Sequence, residues 1–176
     1  NLSSNSIVVN PGMHKEAIDF IKKFISGTEA KEIFIVDPYF SNKEMYFLKN
    51  IDDWCYNSST TVLTSCEASG EFSRSNYVSS WEENSSETPP PNTFIKAKNQ
   101  NNKSPFHDRY ILLYDKKMGL RMGASINGLN GQKAFEISKM LSTEVENIFE
   151  TIVRPLAHQR IKDYQDQLIK YESFDF

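Results

Sequence analysis

Two short stretches of this sequence carry residue types that together suit one chemical task. The first is Ser104-Pro105-Phe106-His107-Asp108-Arg109-Tyr110, and the second is Gly123-Ala124-Ser125-Ile126-Asn127-Gly128. Side chains two positions apart on a strand share a face. The spacing therefore predicts that His107 and Arg109 project together, with Asp108 and Tyr110 turned away, and that Ser125 and Asn127 repeat the pattern just past a partner strand. A hairpin of the two segments brings an imidazole, a guanidinium, a hydroxyl and a carboxamide to one strand end. Arginine supplies a fixed fork of charged donors and Ser and Asn supply neutral ones, a set matched to a phosphate. Imidazole adds a nucleophile or proton donor near neutral pH. Each residue alone has a blander reading: a single histidine at a strand end is usually a boundary residue, and Gly123 and Gly128 suffice to shape a turn. The joint spacing favours the phosphate site.

The same residues resemble the signature of the phospholipase D superfamily, His-x-Lys, then four residues and Asp, then Gly-Ser-x-Asn or a variant. Here the match reads His107-x-Arg109 and Gly123-Ala124-Ser125-Ile126-Asn127, and the surrounding run is similar to a bacterial, nuclease-like branch carrying His-Asp-Arg. The specific resemblance covers residues 106–136. Two positions depart from it: Arg109 stands where Lys is usual, and Tyr114 stands where the Asp falls, with Asp115 next to it. The resemblance implies a metal-independent phosphodiesterase without cofactor, a nuclease working through a phosphohistidine, in a setting such as restriction or defence. His107 would be nucleophile or acid, while Arg109, Ser125 and Asn127 would hold the nonbridging oxygens. A carboxylate following the Asn-containing motif would orient the histidine, and Glu136 is the candidate. The mechanism needs two histidines, so a symmetric homodimer, or a second motif outside this sequence, must supply the other.

The elements that position these residues follow from periodicity and punctuation. Asn10-Pro11 reads as cap and first residue of a helix carrying Ala17, Ile18, Phe20, Ile21, Phe24 and Ile25, stopped by Gly27. Residues 32–37 are a near-continuous apolar run, the mark of a strand covered on both faces. A turn at 37–41, a helix over 42–55 and a strand at 60–65 complete a strand-helix-strand unit with parallel strands. Asp37 and Tyr39 follow the buried strand where open α/β sheets bind ligands, so they are candidate substrate contacts, although turn chemistry explains Asp37-Pro38 equally well. Residues 66–92 are Ser- and Glu-rich and end in three prolines, which suggests an excursion or lid holding one short helix with Tyr77 and Trp81. Strands are expected at 93–98, 107–114, 120–124 and 135–141. Residues 142–173 read as a long helix capped by Thr143 and Glu146, striped by Val145, Ile148, Phe149, Ile152 and Leu156, kinked at Pro155 and resumed by Ile161, Tyr164, Leu168 and Tyr171. The expected architecture is one α/β domain over 1–176, a mixed β-sheet flanked by helices, like one phospholipase D half.

Length and composition fit that assignment. The 176 residues, 39 % hydrophobic and 24 % charged, can bury one core, and no apolar run reaches the roughly 18 residues of a membrane-crossing helix. The two cysteines, Cys55 and Cys66, read as free thiols in a reducing cytoplasm, with no signal-peptide pattern in view. The first residue is Asn, which suggests a trimmed chain. A net charge of −3 argues against a protein that coats nucleic acid by bulk electrostatics. Charge is unevenly distributed, however. Residues 67–87 hold Glu67, Glu71, Glu82, Glu83 and Glu87 against Arg74. Residues 96–121 hold Lys96, Lys98, Lys103, Arg109, Lys116, Lys117 and Arg121 against Asp108 and Asp115. That basic block favours nucleic acid over a lipid surface, with Lys96, Lys98 and Lys103 as substrate contacts; of the nucleic acids DNA is expected over RNA. His14 reads as a surface residue and His158 as a helix residue, and no histidine pair has metal-ligand spacing. The alternative function is a catalytically silent nucleic-acid-binding or targeting module that keeps the phosphate pocket.

Overall fold

The structure is a computed structural model describing residues 4–65 and 71–176. Among these residues an α/β fold forms, a mixed nine-stranded sheet with helices on both faces. Its strands are β1 (Ser6–Val9), β2 (Glu32–Val36), β3 (Ser59–Thr64), β4 (Asn92–Asn99), β5 (Arg109–Leu113), β6 (Met118–Met122), β7 (Phe135–Lys139), β8 (Asp163–Tyr164) and β9 (Gln167–Asp175), in the spatial order β1-β7-β6-β5-β2-β3-β4-β9-β8. The apolar run lands in the middle as β2. Its Ile33 and Ile35 face one layer and its Phe34 and Val36 the other, all buried, which is what a strand without polar alternation demands. β3 joins β2 in parallel through the expected crossover, and β4 continues the parallel set. On the other side of β2 every pairing is antiparallel, through β5, β6, β7 and β1.

Three helices cover one face: α1 (His14–Ile25), α2 (Met45–Trp54) and α3 (Arg74–Asn84). Ile21, Ile51, Tyr77 and Trp81 pack there in one cluster with Ile35, Val62, Phe94 and Ile111. The opposite face is covered by α4 (Ser142–Ile148) and the π-helical segment Phe149–His158 that continues it, whose Val145, Phe149, Val153 and Leu156 meet Phe34, Leu63, Ile95 and Leu112. No helix among the described residues is long and apolar enough to cross a membrane.

Several expectations need correction. The first helix begins at His14, because Asn10 to Met13 form a turn through Gly12, at φ +88°. β1 was not anticipated. It pairs with the free edge of β7. Residues 71–92 are no lid: Tyr77 and Trp81 are 1 % exposed in the core layer, and the Trp81 indole donates to the Glu87 carbonyl at 2.8 Å. Cys66 and Glu67 lie outside the described residues; Cys55 is buried and reduced, and its thiol donates to the Ala30 carbonyl. Helix α4 starts at Ser142, where Glu144 rather than Glu146 reaches back, accepting from the Leu141 N–H at 3.0 Å.

The largest correction concerns the chain end. The helix does not run to 173 but stops at His158, and the remainder returns as a hairpin whose β9 pairs antiparallel with β4. Gln165 and Asp166, at φ +50° and +62°, form the tight connection, and consecutive left-handed residues suit the twist of a two-residue hairpin. Pro155 carries no N–H and leaves a carbonyl free one turn back. The Tyr164 hydroxyl donates to the Thr151 carbonyl in that segment at 2.8 Å, which ties the hairpin to it. Ile161, Tyr164 and Tyr171 are apolar because they close over this layer, and their spacing imitates a helix.

The C-terminal ends of β2, β3, β4 and β6 and the N-terminal ends of β5 and β7 share one edge of the sheet. The candidate residues gather there. On the same core face but farther from that edge, Phe94 is fully buried and stacks on Phe174 and Phe176 at 5.2 and 5.1 Å between centroids, tying β9 to the sheet. Phe94→Ala is expected to cost about 3–5 kcal/mol, read as a lowered urea midpoint.

Candidate functional site

The site is built around the turn that leaves β2. Asp37 is 1 % exposed, and its carboxylate joins two connections distant in sequence. Oδ1 accepts from the Tyr39 N–H at 3.0 Å, within its own turn, and Oδ2 accepts from the Ile126 N–H at 2.8 Å, in the loop after β6. Asp-Pro turns commonly bond their own backbone two residues on; the second bond is tertiary. It brings Ser125 and Asn127 against the end of β2, beside Arg109 at the start of β5. Glycine at 123 permits this closure, because its N–H donates to the Glu136 carbonyl at 2.8 Å and an added Cβ would lie 2.6 Å from that oxygen.

Arg109, Ser125, Asn127 and Tyr39 line one cavity of about 500 Å³, with Lys133 and the backbone of Gly123 and Gly128. Two of its polar atoms are buried with no hydrogen-bond partner among the described residues: Arg109 Nε and Ser125 Oγ, the latter on a residue only 5 % exposed. A buried donor left unpaired costs about 1–3 kcal/mol, so such atoms mark a place for a ligand or ordered solvent. The Arg109 guanidinium lies 5.9 Å from the centre of the Tyr39 ring, which is itself 54 % exposed.

Burial pushes the Asp37 carboxyl above its ordinary value. The Ile126 and Tyr39 N–H groups, the nearby Ser125 hydroxyl and the Arg109 charge act in the opposite direction without cancelling it. The Ser125 hydroxyl exerts this pull from outside hydrogen-bonding geometry. A second buried carboxylate, Glu44, accepts from the Ser41 N–H and hydroxyl at 2.6 and 2.7 Å and caps the turn before α2. Burial raises its pKa as well, and the Asp37 charge adds to the shift. The sequence reading missed Glu44, although Ser41-x-x-Glu44 is a capping-box signature. It also missed Lys133, just beyond Gly128 and Gly131 in the loop before β7.

Placement of the other candidates is mixed. His107 is exposed and precedes β5, which begins at Arg109, so the two do not share a strand face. It does not line the cavity, although two residues of chain keep its Cα within about 7 Å of that of Arg109. Asp108 accepts from the Tyr110 hydroxyl at 3.2 Å. Glu136 pairs with Val8 and alternates with Ile137, which shares the Arg109 and Met122 face; its side chain is therefore on the opposite face of the sheet. The carboxylate set into the site is Asp37, which is too buried to be a direct substrate contact.

The basic block does not form one patch. Lys96 is 8 % exposed, paired with Glu172 at 2.6 Å and lying over the Phe72 ring, three strands from β5. Lys98 faces Lys170 across β4 and β9, and Lys103 is exposed in the loop after β4; neither lines the cavity. Lys116 and Lys117 sit at the far end of the sheet, and Lys117 and Arg121 pair with Glu146 and Glu144. Asp115, near the position where the resemblance expects an Asp, accepts from the Lys31 and Glu32 N–H groups and caps the start of β2. His14 opens α1, and the exposed His158 contacts the rings of Phe34 and Phe149.

Comparison with protein-family models and with curated proteins finds no match to this chain. The arrangement itself is a donor-rich concavity suited to a small oxyanion, adjoining one histidine.

Two outcomes test this geometry. Gly123→Ala is expected to lower stability by about 1–3 kcal/mol in urea titrations, because backbone atoms of β7 must move to admit the methyl group. Asp37→Asn tests the clamp through pH. A carboxyl raised above its ordinary value contributes most below that value and loses its contribution as pH rises through the folded pKa. The stability of Asp37→Asn relative to the parent is therefore expected to improve between pH 4 and neutrality; a pH-independent difference would remove the buried charge from the account.

Proposed function

We propose that this chain is a metal-independent phosphodiesterase acting on nucleic acid, DNA in preference to RNA, and working as a homodimer. The observation that carries the reading is the convergence of Arg109, Ser125 and Asn127 on one cavity, with Arg109 Nε and Ser125 Oγ unpaired among the described residues. Those donors would hold the nonbridging oxygens of a phosphodiester and stabilise their charge as phosphorus becomes five-coordinate. The His107 imidazole would attack phosphorus, forming an N–P bond as the P–O bond to the leaving group breaks. The partner copy's imidazole would give that oxygen its proton. Water would then attack the phosphohistidine and release the phosphate and the histidine. The resemblance to phospholipase D motifs supports the same chemistry. Asp37 would act by positioning Ser125 and the 126 amide, in place of the orienting role expected of Glu136.

A second reading, a silent module that binds nucleic acid through the same pocket, is favoured by one observation: His107 is exposed and outside the cavity lining. Plasmid and single-stranded oligonucleotides incubated in EDTA separate the two. The enzyme reading expects cleavage that His107→Ala lowers by about 10²–10⁴-fold and Arg109→Ala by about 10²–10³-fold. Salt-sensitive binding with no cleavage by either protein would establish the module instead. Light scattering during gel filtration is expected to report a dimer; a stable monomer would leave His107 without its counterpart.

A further inference from the structure

We infer that the Tyr39 ring is a stacking platform for a nucleobase, so that the Arg109 cavity takes single-stranded nucleic acid. A phosphate would sit on Arg109, Ser125 and Asn127, and an adjoining base on Tyr39. The inference rests on the phosphate reading above and adds the strand type that reading leaves open.

Tyr39 lies between two buried residues, Pro38 and Phe40, yet more than half of it meets solvent. One exposed aromatic ring is unremarkable in itself. This one lines the same cavity as the unpaired Arg109 and Ser125 atoms. The Arg109 guanidinium lies over the ring, so a cation steadies it, while 54 % of the residue remains exposed. The backbone beneath is fixed as well, since the Tyr39 N–H is held by Asp37 and the Phe40 ring is fully buried. The ring is thus presented from a rigid base, with little ordering to be done on binding.

An aromatic face beside a backbone-binding cation is how proteins hold single strands without reading sequence, because every base has a π face. In a duplex both faces of each base are already covered by neighbours. A base that reaches Tyr39 must come from a single strand, a frayed end or a flipped nucleotide. The contrast within the molecule is Tyr56, 78 % exposed at the opposite end of the sheet, where Asp52 and Glu87 line the neighbouring cavity. That cavity sets one cation, Lys31, against the two carboxylates.

The test is fluorescence anisotropy with 3′-labelled probes of about 12 nucleotides: oligo-dT, an abasic strand with the same phosphates, and a blunt duplex. All proteins carry His107→Ala so that no probe is consumed. Oligo-dT is expected to bind about tenfold tighter than the abasic strand. Tyr39→Ala and Tyr39→Leu should both erase that ratio, Tyr39→Phe should restore it, and Tyr56→Ala should not alter it. The leucine variant keeps apolar bulk, and near-parental melting of each variant excludes a folding defect. If the ratio survives both Tyr39→Ala and Tyr39→Leu, stacking on Tyr39 is wrong while the phosphate site stands. If neither strand binds, the phosphate reading fails and this inference with it.

Discussion

One hydrogen bond, from the Ile126 amide to the buried Asp37 carboxylate, holds the candidate site together. Taking a carboxylate out of water costs several kcal/mol unless backbone donors and a nearby cation compensate. Both are present, as the Tyr39 and Ile126 N–H groups and the Arg109 guanidinium, and they offset part of that cost. The bond closes a loop between residues 89 positions apart and sets the first turn after β2 against the turn after β6. Without it Ser125 and Asn127 would belong to an ordinary surface loop. With it their polar atoms, and that of Arg109, face one concavity.

Local donor geometry, not bulk charge, is what this site has to offer an anion. The chain is acidic overall, and three of the seven bases in its basic block are paired elsewhere: Lys96 with Glu172, Lys117 with Glu146 and Arg121 with Glu144. The last two are exposed pairs of small energetic weight. Arg109 differs because its Nε is buried without a partner among the described residues. That donor is open to a ligand.

The sheet explains why the site forms at that edge. β2 pairs in parallel with β3 and antiparallel with β5, so the chain leaving it passes between two kinds of neighbour. Connections diverge there, which opens a crevice at the carboxyl end of the strand. At the other flank β9 covers β4, and at the amino end Asp115 ties the β5–β6 connection to the start of β2. That carboxylate takes part in architecture, consistent with its distance from the site.

Local pattern alone determined much of this protein. The apolar run at 33–36 required a strand buried on both faces, the next elements required a parallel crossover, and the spacing of Arg109, Ser125 and Asn127 marked the donors that share a cavity. Only tertiary structure decided the rest, because the deciding contacts join residues far apart. Periodicity placed His107 and Arg109 on one strand face, but β5 begins at Arg109 and the buried Phe106 belongs to the opposite layer's core. The resemblance pointed to Glu136, whereas register put it on the other face and Asp37 beside the donors. The stripe of Ile161, Tyr164 and Tyr171 read as helix, yet only Tyr171 pairs with the edge of β4, in β9, while Tyr164 lies in β8 and Ile161 in the connection before it. A sequence shows which side chains are apolar or able to donate; which open edge or buried carboxylate they meet is set by packing across the whole chain.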